Sequence, residues 1–533
     1  MADSISRRTL FAAALSGFPF ARALTSAAQI TSKDSRANLA LELRTQAAIR
    51  QSKRRPSSME TNGDEDLEPR GIASYRKGLP RNQFGEVDKA AYAALIVALT
   101  SQHHADFERI PRGGGRKHSN PQGAFTYHLE GGDAHTFDIP PAPSIRSEAS
   151  AWDMSELYWQ ALCRDVPFSG YGSSAIVAEA AKHLGSTTAR VFRGPSEAHF
   201  RGPYVSQFLL KPIPYGSAKM AQLYSTPVPE SDFMTAPTEW SQIQAGMPSW
   251  REATYDPKPR YIRNGRDLSE YVHYDFPYQP YLNAALILIN SGPHSILNCN
   301  QFKSDNNIYR YSTIQDGFVT FGPAEVTDWL GRVTTAALKA AWFQKWSVHR
   351  RIRPEELGGL VHSSRTGTRR CDLHESLTTS RSVDAVFSRT GSYLLPQAYP
   401  EGSPLHPSYP SGHAAIAGAC SVVLKACFDG AMLLPGCVEP SLDGLSLAPC
   451  TDYSPTIGDE IDKLAFNVAM GRNWAGIHYR SDADAGIRLG EDVAISILQD
   501  LACTYTENFK GLAFRRFDGT EVQITPRGEV IEA

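Results

Sequence analysis

The sequence lacks the features of several common protein classes. Among its 533 residues there is no uncharged apolar run of about 18 residues, and the mean hydropathy is −0.33, which argues against a membrane-spanning helix. The 54 Lys and Arg residues nearly balance the 56 Asp and Glu residues, so the overall charge favours neither nucleic acid nor a membrane surface as a partner. No Cys-x-x-Cys or mixed Cys/His spacing indicates zinc, and there is no strong internal repeat. A composition of 41% hydrophobic and 21% charged residues predicts a globular protein with a buried core.

The N-terminal region differs from the rest in composition. Arg7 and Arg8 precede a short apolar stretch and then small residues, a pattern that predicts a twin-arginine signal peptide over residues 1–28. The polar residues 29–70 are expected to form a flexible arm, and residues 71–533 to form one helical domain. We therefore expect export to the periplasm or outside the cell, with a cytoplasmic location as the alternative.

The eight cysteines fit either compartment. Cys437 and Cys450 bracket a loop rich in Pro, Gly and Ser, and they are expected to form a disulfide if the protein is exported. Cys420 and Cys427 lie on one predicted helix and are expected to be buried thiols.

Periodicity predicts a mainly α fold. Several long segments repeat apolar residues every three or four positions, which indicates amphipathic helices packed in bundles. Loops rich in Pro and Gly separate these segments, and the loop over residues 113–147 is long. Strand-like alternation is scarce apart from the C-terminal GTEVQITPRGEVIE. We therefore expect helical bundles, long connecting loops and a few short strands.

A first segment places two cations near a helix end. Apolar residues at helical spacing mark a buried stripe through residues 326–341, and Trp342 and Lys345 continue it. The helix is expected to run on and to end before Pro354, with Arg353 at its exit. Taken alone, this pattern favours a lysine that extends its ammonium to solvent beside an Arg-rich helix end at the surface.

A second segment predicts a helix N-terminus suited to an anion. Pro407 and Pro410 prevent a helix before Ser411, and Ala-rich helical sequence follows His413. Free backbone N–H groups and the positive end of the helix dipole meet at such a start, and Gly412 lets a ligand approach the backbone. An ordinary helix cap with an incidental histidine is the alternative.

A third segment joins two predicted helices. Arg472 ends one helix, and His478 precedes the next. Ser481 and Asp484 have the spacing of a capping box at the second helix. Asp482, four residues after His478, either orients the imidazole or is a first-turn carboxylate favoured by the helix dipole.

Together the three segments contain the groups needed to bind a tetrahedral oxyanion with several negative charges. Preorganised cations and neutral donors bind such an ion strongly in a partly dry site. One histidine can bond to the central atom while the other moves protons. The groups are the cations Lys345, Arg353 and Arg472, the neutral donors Ser411 and Gly412, and the histidines His413 and His478.

The set Lys-x7-Arg-Pro, Pro-Ser-Gly-His and Arg-x5-His resembles the signature shared by vanadium-dependent haloperoxidases and type 2 phosphatidic acid phosphatases. Within that group it is most similar to the algal and cyanobacterial bromoperoxidases. The Lys-to-Arg gap is one residue longer than in the phosphatase pattern, and His406 precedes His413 by seven residues, as in that branch. The resemblance covers roughly residues 70–510, although the stretch before the second Gly-Pro of FRGPSEAHFRGPYVSQ lacks an expected acidic residue.

The resemblance implies a mainly α fold with two four-helix bundles, long connecting loops and a few short strands. It also implies a vanadate cofactor and oxidation of bromide and iodide by hydrogen peroxide to hypohalous acid, which halogenates a small organic acceptor. Members of this branch form dimers or larger homo-oligomers. Whether chloride is also oxidised stays open, because the position of Trp342 varies within the branch.

The resemblance also implies roles for individual residues. His478 would coordinate vanadium, His413 would be the acid–base group, and Lys345 would polarise the peroxide. Asp275 would pair with a site arginine. The predicted set comprises the vanadate-oxygen ligands Lys345, Arg353, Ser411, Gly412 and Arg472, the halide-pocket residues Trp342 and His406, and the supporting carboxylates Asp275 and Asp482.

Two other functions use the same residues. An acid phosphatase would employ His478 as the nucleophile and His413 as the acid that protonates the leaving group. A non-catalytic phosphate-binding helical protein would need no proton donor at all. The length of the chain, the wider Lys–Arg gap and His406 favour the peroxidase.

Overall fold

Helices dominate the molecule, as predicted from the periodicity. The computed structural model of the protein describes residues 33–67, 71–82, 85–194, 197–290 and 303–533. The predicted signal peptide lies outside these ranges. No helix within them is long and apolar enough to cross a membrane.

The helices before residue 291 are mostly short and are joined by long loops. Five 3-10 turns punctuate these loops, at Asp64–Asp66, Pro121–Phe125, Ala134–Thr136, Phe168–Ser173 and Gln207–Leu209. The α-helices are α1 (Lys33–Ser52), α2 (Lys89–Ser101), α3 (His104–Phe107), α4 (Glu148–Cys163), α5 (Ala175–His183), α6 (Glu197–Phe200), α7 (Pro237–Gln244), α8 (Gly265–Tyr274) and α9 (Gln279–Ile289).

The later helices are longer, and they carry the three predicted site segments. A π-helical turn over Gln344–His349 directly follows the first of them. The helices are α10 (Pro323–Phe343), α11 (Pro354–Arg365), α12 (Glu375–Thr378), α13 (Arg381–Thr390), α14 (Gly412–Cys427), α15 (Ile457–Trp474) and α16 (Arg480–Ala502).

Two groups of four helices account for most of the packing. Helix α14 contacts α10, α15 and α16, while α4 contacts α5, α12 and α13. Small residues let α14 and α16 approach closely: a Cβ on Gly490 would lie 2.0 Å from the carbonyl oxygen of Ala415, and one on Gly486 would lie 2.7 Å from that of Ser411. This close contact brings the N-termini of the two helices together, and both belong to predicted site segments.

The polar segment that was predicted to be a flexible arm contains helix α1. This helix docks on the far end of α16, where Gln51 Nε2 donates to Asp500 Oδ1 at 3.0 Å and Arg50 Nε lies 3.3 Å from the same oxygen. Composition indicated a flexible arm because the exposed face of α1 is polar. The contacts that hold α1 in place could not be predicted locally, because they involve residues near the C-terminus.

Strands are short and lie outside the helical core. The C-terminal strands confirm the alternation noted in the sequence, and Phe514, Val522 and Ile524 are buried. Cys437 and Cys450 flank a second sheet, where Cys450 N donates to Cys437 O at 3.0 Å; both thiols are free, so the expected disulfide is not formed in this structure. The antiparallel sheets are β1 (Ile213–Tyr215) with β2 (Ala218–Met220), β3 (Val438–Pro440) with β4 (Leu447–Pro449), and β5 (Leu512–Arg515), β6 (Glu521–Ile524) and β7 (Val530–Glu532) in that order.

Candidate active site

His478 is fixed by a carboxylate one helical turn away. Its Nδ1 lies 2.7 Å from Asp482 Oδ2, and Arg353 Nη1 donates to its Nε2 at 3.0 Å. Because the arginine can only donate, Nε2 is unprotonated and Nδ1 carries the proton. Burial and the charges of Arg353 and Lys345 hold the pKa of His478 well below its ordinary value. The Nε2 lone pair therefore faces the buried cations, where it accepts from Arg353 in this structure and where a metal centre would replace that hydrogen bond.

Asp482 performs both of the functions considered from the sequence. Besides His478, its Oδ2 accepts from Tyr479 N at 3.2 Å, which caps α16, and from Ser408 Oγ at 2.5 Å. Its Oδ1 accepts from Arg351 Nη1 at 2.7 Å. Burial raises the pKa of this carboxyl, but Arg351 and the hydrogen bond from His478 outweigh burial and leave the pKa well below its usual range.

Lys345 and Arg353 are completely buried among neutral acceptors. Lys345 Nζ donates to Pro407 O at 2.8 Å and to Ser408 O at 2.7 Å, and Arg353 Nε donates to His406 O at 2.8 Å. Burial and the neighbouring Arg353 hold the pKa of Lys345 well below its ordinary value. Burial also lowers the pKa of Arg353, to about 10.

The start of α14 forms a wall of the same site. Ser411 is the N-cap residue, and its Oγ accepts from Ala414 N at 3.4 Å. A Cβ on Gly412 would stand 3.4 Å from the Trp342 ring, so the glycine opens space between the helix start and the indole. The Trp342 ring also lies 4.8 Å from that of His406, whose Nδ1 is 3.0 Å from Arg353 Nη2.

His413 is held by Asp275. Its Nε2 lies 2.9 Å from Asp275 Oδ1, while 27% of the His413 side chain stays exposed. The expectation that Asp275 pairs with a site arginine is therefore wrong: its partner is the predicted acid–base histidine. The other carboxylate oxygen, Oδ2, is buried and has no hydrogen-bond partner among the described residues.

Arg472 completes the group of cations. Its Nη1 donates to Val272 O at 2.6 Å, and its guanidinium lies 5.5 Å from the Tyr399 ring. Its Nε is buried without a hydrogen-bond partner in the described part of the chain.

The residues present fit an anion with several negative charges. Lys345, Arg353 and Arg472 are buried, yet none of them has a carboxylate within 4.0 Å in the described ranges. Buried cations without counter-charges are unfavourable, and an oxyanion would supply the missing negative charge. The same ranges contain no cluster of three or more His, Cys, Asp or Glu side chains that could hold a metal cation. The site therefore suits vanadium presented as vanadate.

Two local predictions in these segments are wrong. Helix α10 does not continue to Pro354: it widens into the π-helical turn, Arg350 adopts a left-handed φ of 38°, and Arg353 becomes the N-cap residue of α11. The capping box of Ser481 and Asp484 does not form, because α16 begins two residues earlier, with Tyr479 as its N-cap and Asp482 as its capping carboxylate.

Sequence reasoning missed the residues that hold the site residues in place. Arg351 is buried, donates to Asp482 and lies 3.4 Å from Asp153 Oδ2. Lys77 pairs with Glu355 at 2.5 Å, directly after the start of α11. The run HRRIRPEE was the available signal, since it places charged residues on both sides of Arg353, but its polarity had suggested a surface.

The chain is similar to several characterised proteins. Residues 381–506 match the family model described as the VCPO second helical-bundle domain. A vanadium-dependent bromoperoxidase of Corallina pilulifera is 32% identical over 87% of this chain and 93% of that protein. One of Ascophyllum nodosum is 33% identical over 88% of each. The homohexameric structure of the second vanadate-dependent bromoperoxidase of Ascophyllum nodosum matches with a TM-score of 0.89 and 28% identity, over 99% of this chain and 97% of that chain.

These similarities extend over nearly the whole chain and are not confined to the three site segments. They confirm the predicted fold class, the enzyme class and the vanadate cofactor. The chain belongs to the vanadium-dependent bromoperoxidases.

Proposed function

We propose that this bromoperoxidase holds vanadate between its three buried cations and the start of α14. Lys345, Arg353 and Arg472 would bind vanadate oxygens by charge, and Ser411 and Gly412 would bind them as neutral donors. His478 would coordinate vanadium through Nε2. The observation that carries this proposal is the burial of three cations whose close hydrogen-bond partners, within the described residues, are neutral acceptors.

Bound vanadate supplies a Lewis-acid centre that activates hydrogen peroxide for two-electron oxidation of a halide. Hydrogen peroxide, bromide and one proton give hypobromous acid and water. His413 is exposed enough to exchange protons with solvent, and Asp275 fixes its ring, so this pair would take a proton from peroxide and return one to the leaving oxygen. Lys345 Nζ donates two of its protons to the carbonyl oxygens of Pro407 and Ser408, and its third proton would polarise the peroxide.

Trp342 and His406 would line the halide side of the pocket. The two ring centroids lie 4.8 Å apart with the ring planes inclined by 41°, and the Trp342 indole is fixed by donation to Ser119 O at 3.2 Å. We expect iodide, which is easier to oxidise, to be accepted with bromide. The hypohalous acid would then halogenate a small organic acceptor such as a phenol.

The decisive assay is bromination of a phenolic dye by purified protein with vanadate, peroxide and bromide. The wild type should need vanadate, and His478→Ala should lose activity. His374→Ala is the matched control, because this histidine is half-buried and its ring bonds locally, to the hydroxyl and the backbone N–H of Ser376. Full activity in His478→Ala would refute the assignment. Parallel rates with iodide and chloride would define the halide range.

Assembly and location are further parts of the proposal. The homohexameric Ascophyllum protein supports a homo-oligomer of two or more copies, which light scattering on the purified protein would measure. The Arg7–Arg8 pattern supports export through a twin-arginine signal. Replacing both arginines by lysine should retain the protein in the cytoplasm of an expressing bacterium, and unchanged secretion would contradict this.

A further inference from the structure

A second group of buried positive charge lies outside the vanadate site. Arg76 is only 3% exposed, and its Nε has no hydrogen-bond partner among the described residues. The nearest carboxylate oxygen, Glu356 Oε1, is 3.6 Å from that Nε and already accepts from Arg81 Nη2 at 2.8 Å. The Nε of Arg81 is likewise buried without a partner in the described ranges. One carboxylate therefore serves two buried guanidinium groups.

The cavity beside this pair is large enough for a hydrated anion. It has a volume of about 610 Å³, and its lining includes Arg76, Arg81, Lys89 and Arg369 but none of the residues assigned to vanadate. Helix α2 also begins at this cavity, so the positive end of its dipole faces the same space.

Two carboxylates, Glu86 and Asp88, belong to the described lining of the cavity, and both are already engaged. Glu86 Oε1 lies 3.3 Å from Arg369 Nη1, and its Oε2 accepts from Asn82 Nδ2 at 2.8 Å. Asp88 Oδ1 accepts from Ala91 N at 2.8 Å as the N-cap of α2. None of these contacts supplies an acceptor to Arg76.

We propose that this cavity is a second oxyanion site, which binds a phosphate-sized tetrahedral anion through Arg76 and Arg81 inside and Arg369 at the rim. A guanidinium presents paired N–H donors that match two oxygens of such an anion. Binding would also relieve the cost of burying two cations against a single carboxylate. Burial and the charge of Arg81 lower the pKa of Arg76 to about 10, in keeping with a cation whose charge Glu356 only partly balances.

The test must measure phosphate binding and not enzyme activity. Phosphate also competes for the vanadate site, and Glu356 Oε2 accepts from Arg353 N at 3.5 Å, so the two regions are connected. Inorganic phosphate would therefore be titrated by calorimetry into vanadate-loaded protein, with bound vanadium measured before and after. We expect one phosphate per chain to bind while vanadium is retained.

Variants of the cavity arginines test whether the phosphate binds in this cavity. Arg76→Met should weaken phosphate binding at least tenfold, and Arg109→Met, which removes a 75% exposed arginine, should leave it unchanged. If Arg76→Met fails to fold, Arg369→Gln at the rim should still weaken phosphate binding several-fold. Absence of phosphate binding, binding only with release of vanadium, or unchanged affinity in the folded variants would each overturn the proposal.

Discussion

Replacement of Asp482 by asparagine tests whether this carboxylate orients His478, the proposed vanadium ligand. The change keeps the side-chain volume but removes the negative charge of the carboxylate. That carboxylate accepts from His478 Nδ1 at 2.7 Å and from Arg351 Nη1 at 2.7 Å. An amide can present its NH₂ group to His478, which would disturb both the tautomer and the ring orientation. Loss of such a partner of a metal ligand typically weakens metal binding by about 10- to 100-fold. We expect a weakening of vanadate binding in that range.

The same change should lower stability. Removing one partner of a buried ion pair costs about 3–5 kcal/mol. Arg351 keeps Ser481 Oγ at 2.7 Å and Asp153 at 3.4 Å, so we expect the low end, about 3 kcal/mol in the free energy of unfolding. The pKa of Asp482 is lowered on folding, so its contribution is present above the unfolded value of about 3.9 and disappears as the pH falls below it.

Two measurements separate the effects. Vanadate affinity is obtained by titrating recovery of bromide oxidation in vanadate-free protein, and stability by denaturant unfolding of that protein at neutral pH. Asp484→Asn is the matched control, since Asp484 lies on the same turn of α16, is half-buried, and is not the partner of His478. Unchanged vanadate affinity in Asp482→Asn, or an equal loss in Asp484→Asn, would refute the orienting role.

Three further outcomes follow from the contacts described. Lys345→Met should weaken vanadate binding about 30-fold or more. Lys339→Met, on the face of α10 that contacts Tyr127, should not weaken it. Equal effects of the two changes would contradict a direct contact between Lys345 and vanadate. Asp275→Asn should lower kcat about tenfold with vanadate affinity nearly unchanged, and a selective loss of vanadate affinity would argue against pairing with the acid–base group. Burial lowers the pKa of His118 and of His349 to about 4, so the unfolded chain binds more protons between about pH 6.5 and about pH 4. Stability should therefore fall by about 2 kcal/mol per histidine from about pH 7 to about pH 5, and His118→Gln/His349→Gln should flatten that slope in denaturant unfolding; an unchanged slope would contradict the shifts.

The geometry of the candidate site could be predicted from the sequence where local rules determine it. Pro410 and the Ala-rich run after His413 determine that a helix begins at Gly412, whatever the rest of the fold does. The spacing of four residues likewise brings Asp482 under His478. Motif resemblance then supplied the roles that spacing alone left open.

Other contacts depend on chain segments far apart, and no local pattern specifies them. Asp275 and His413 are separated by 138 positions, so resemblance suggested a carboxylate near the site but the wrong partner. The π-helical turn after Phe343 was also missed, because its residues continue the pattern of α10 and contain no proline or glycine that would indicate a change of helix type.

The arrangement of charge explains why such contacts are needed. Two carboxylates near the site are engaged away from the three cations: Asp482 holds His478 and Arg351, while Glu355 holds Lys77. A carboxylate placed directly against Lys345 or Arg353 would neutralise that cation and compete with vanadate oxygens. Neutral carbonyls instead fix both side chains without cancelling their charge. Burying these cations without counter-charges destabilises the anion-free protein. Binding of the anion removes this destabilisation, and the anion therefore binds more tightly.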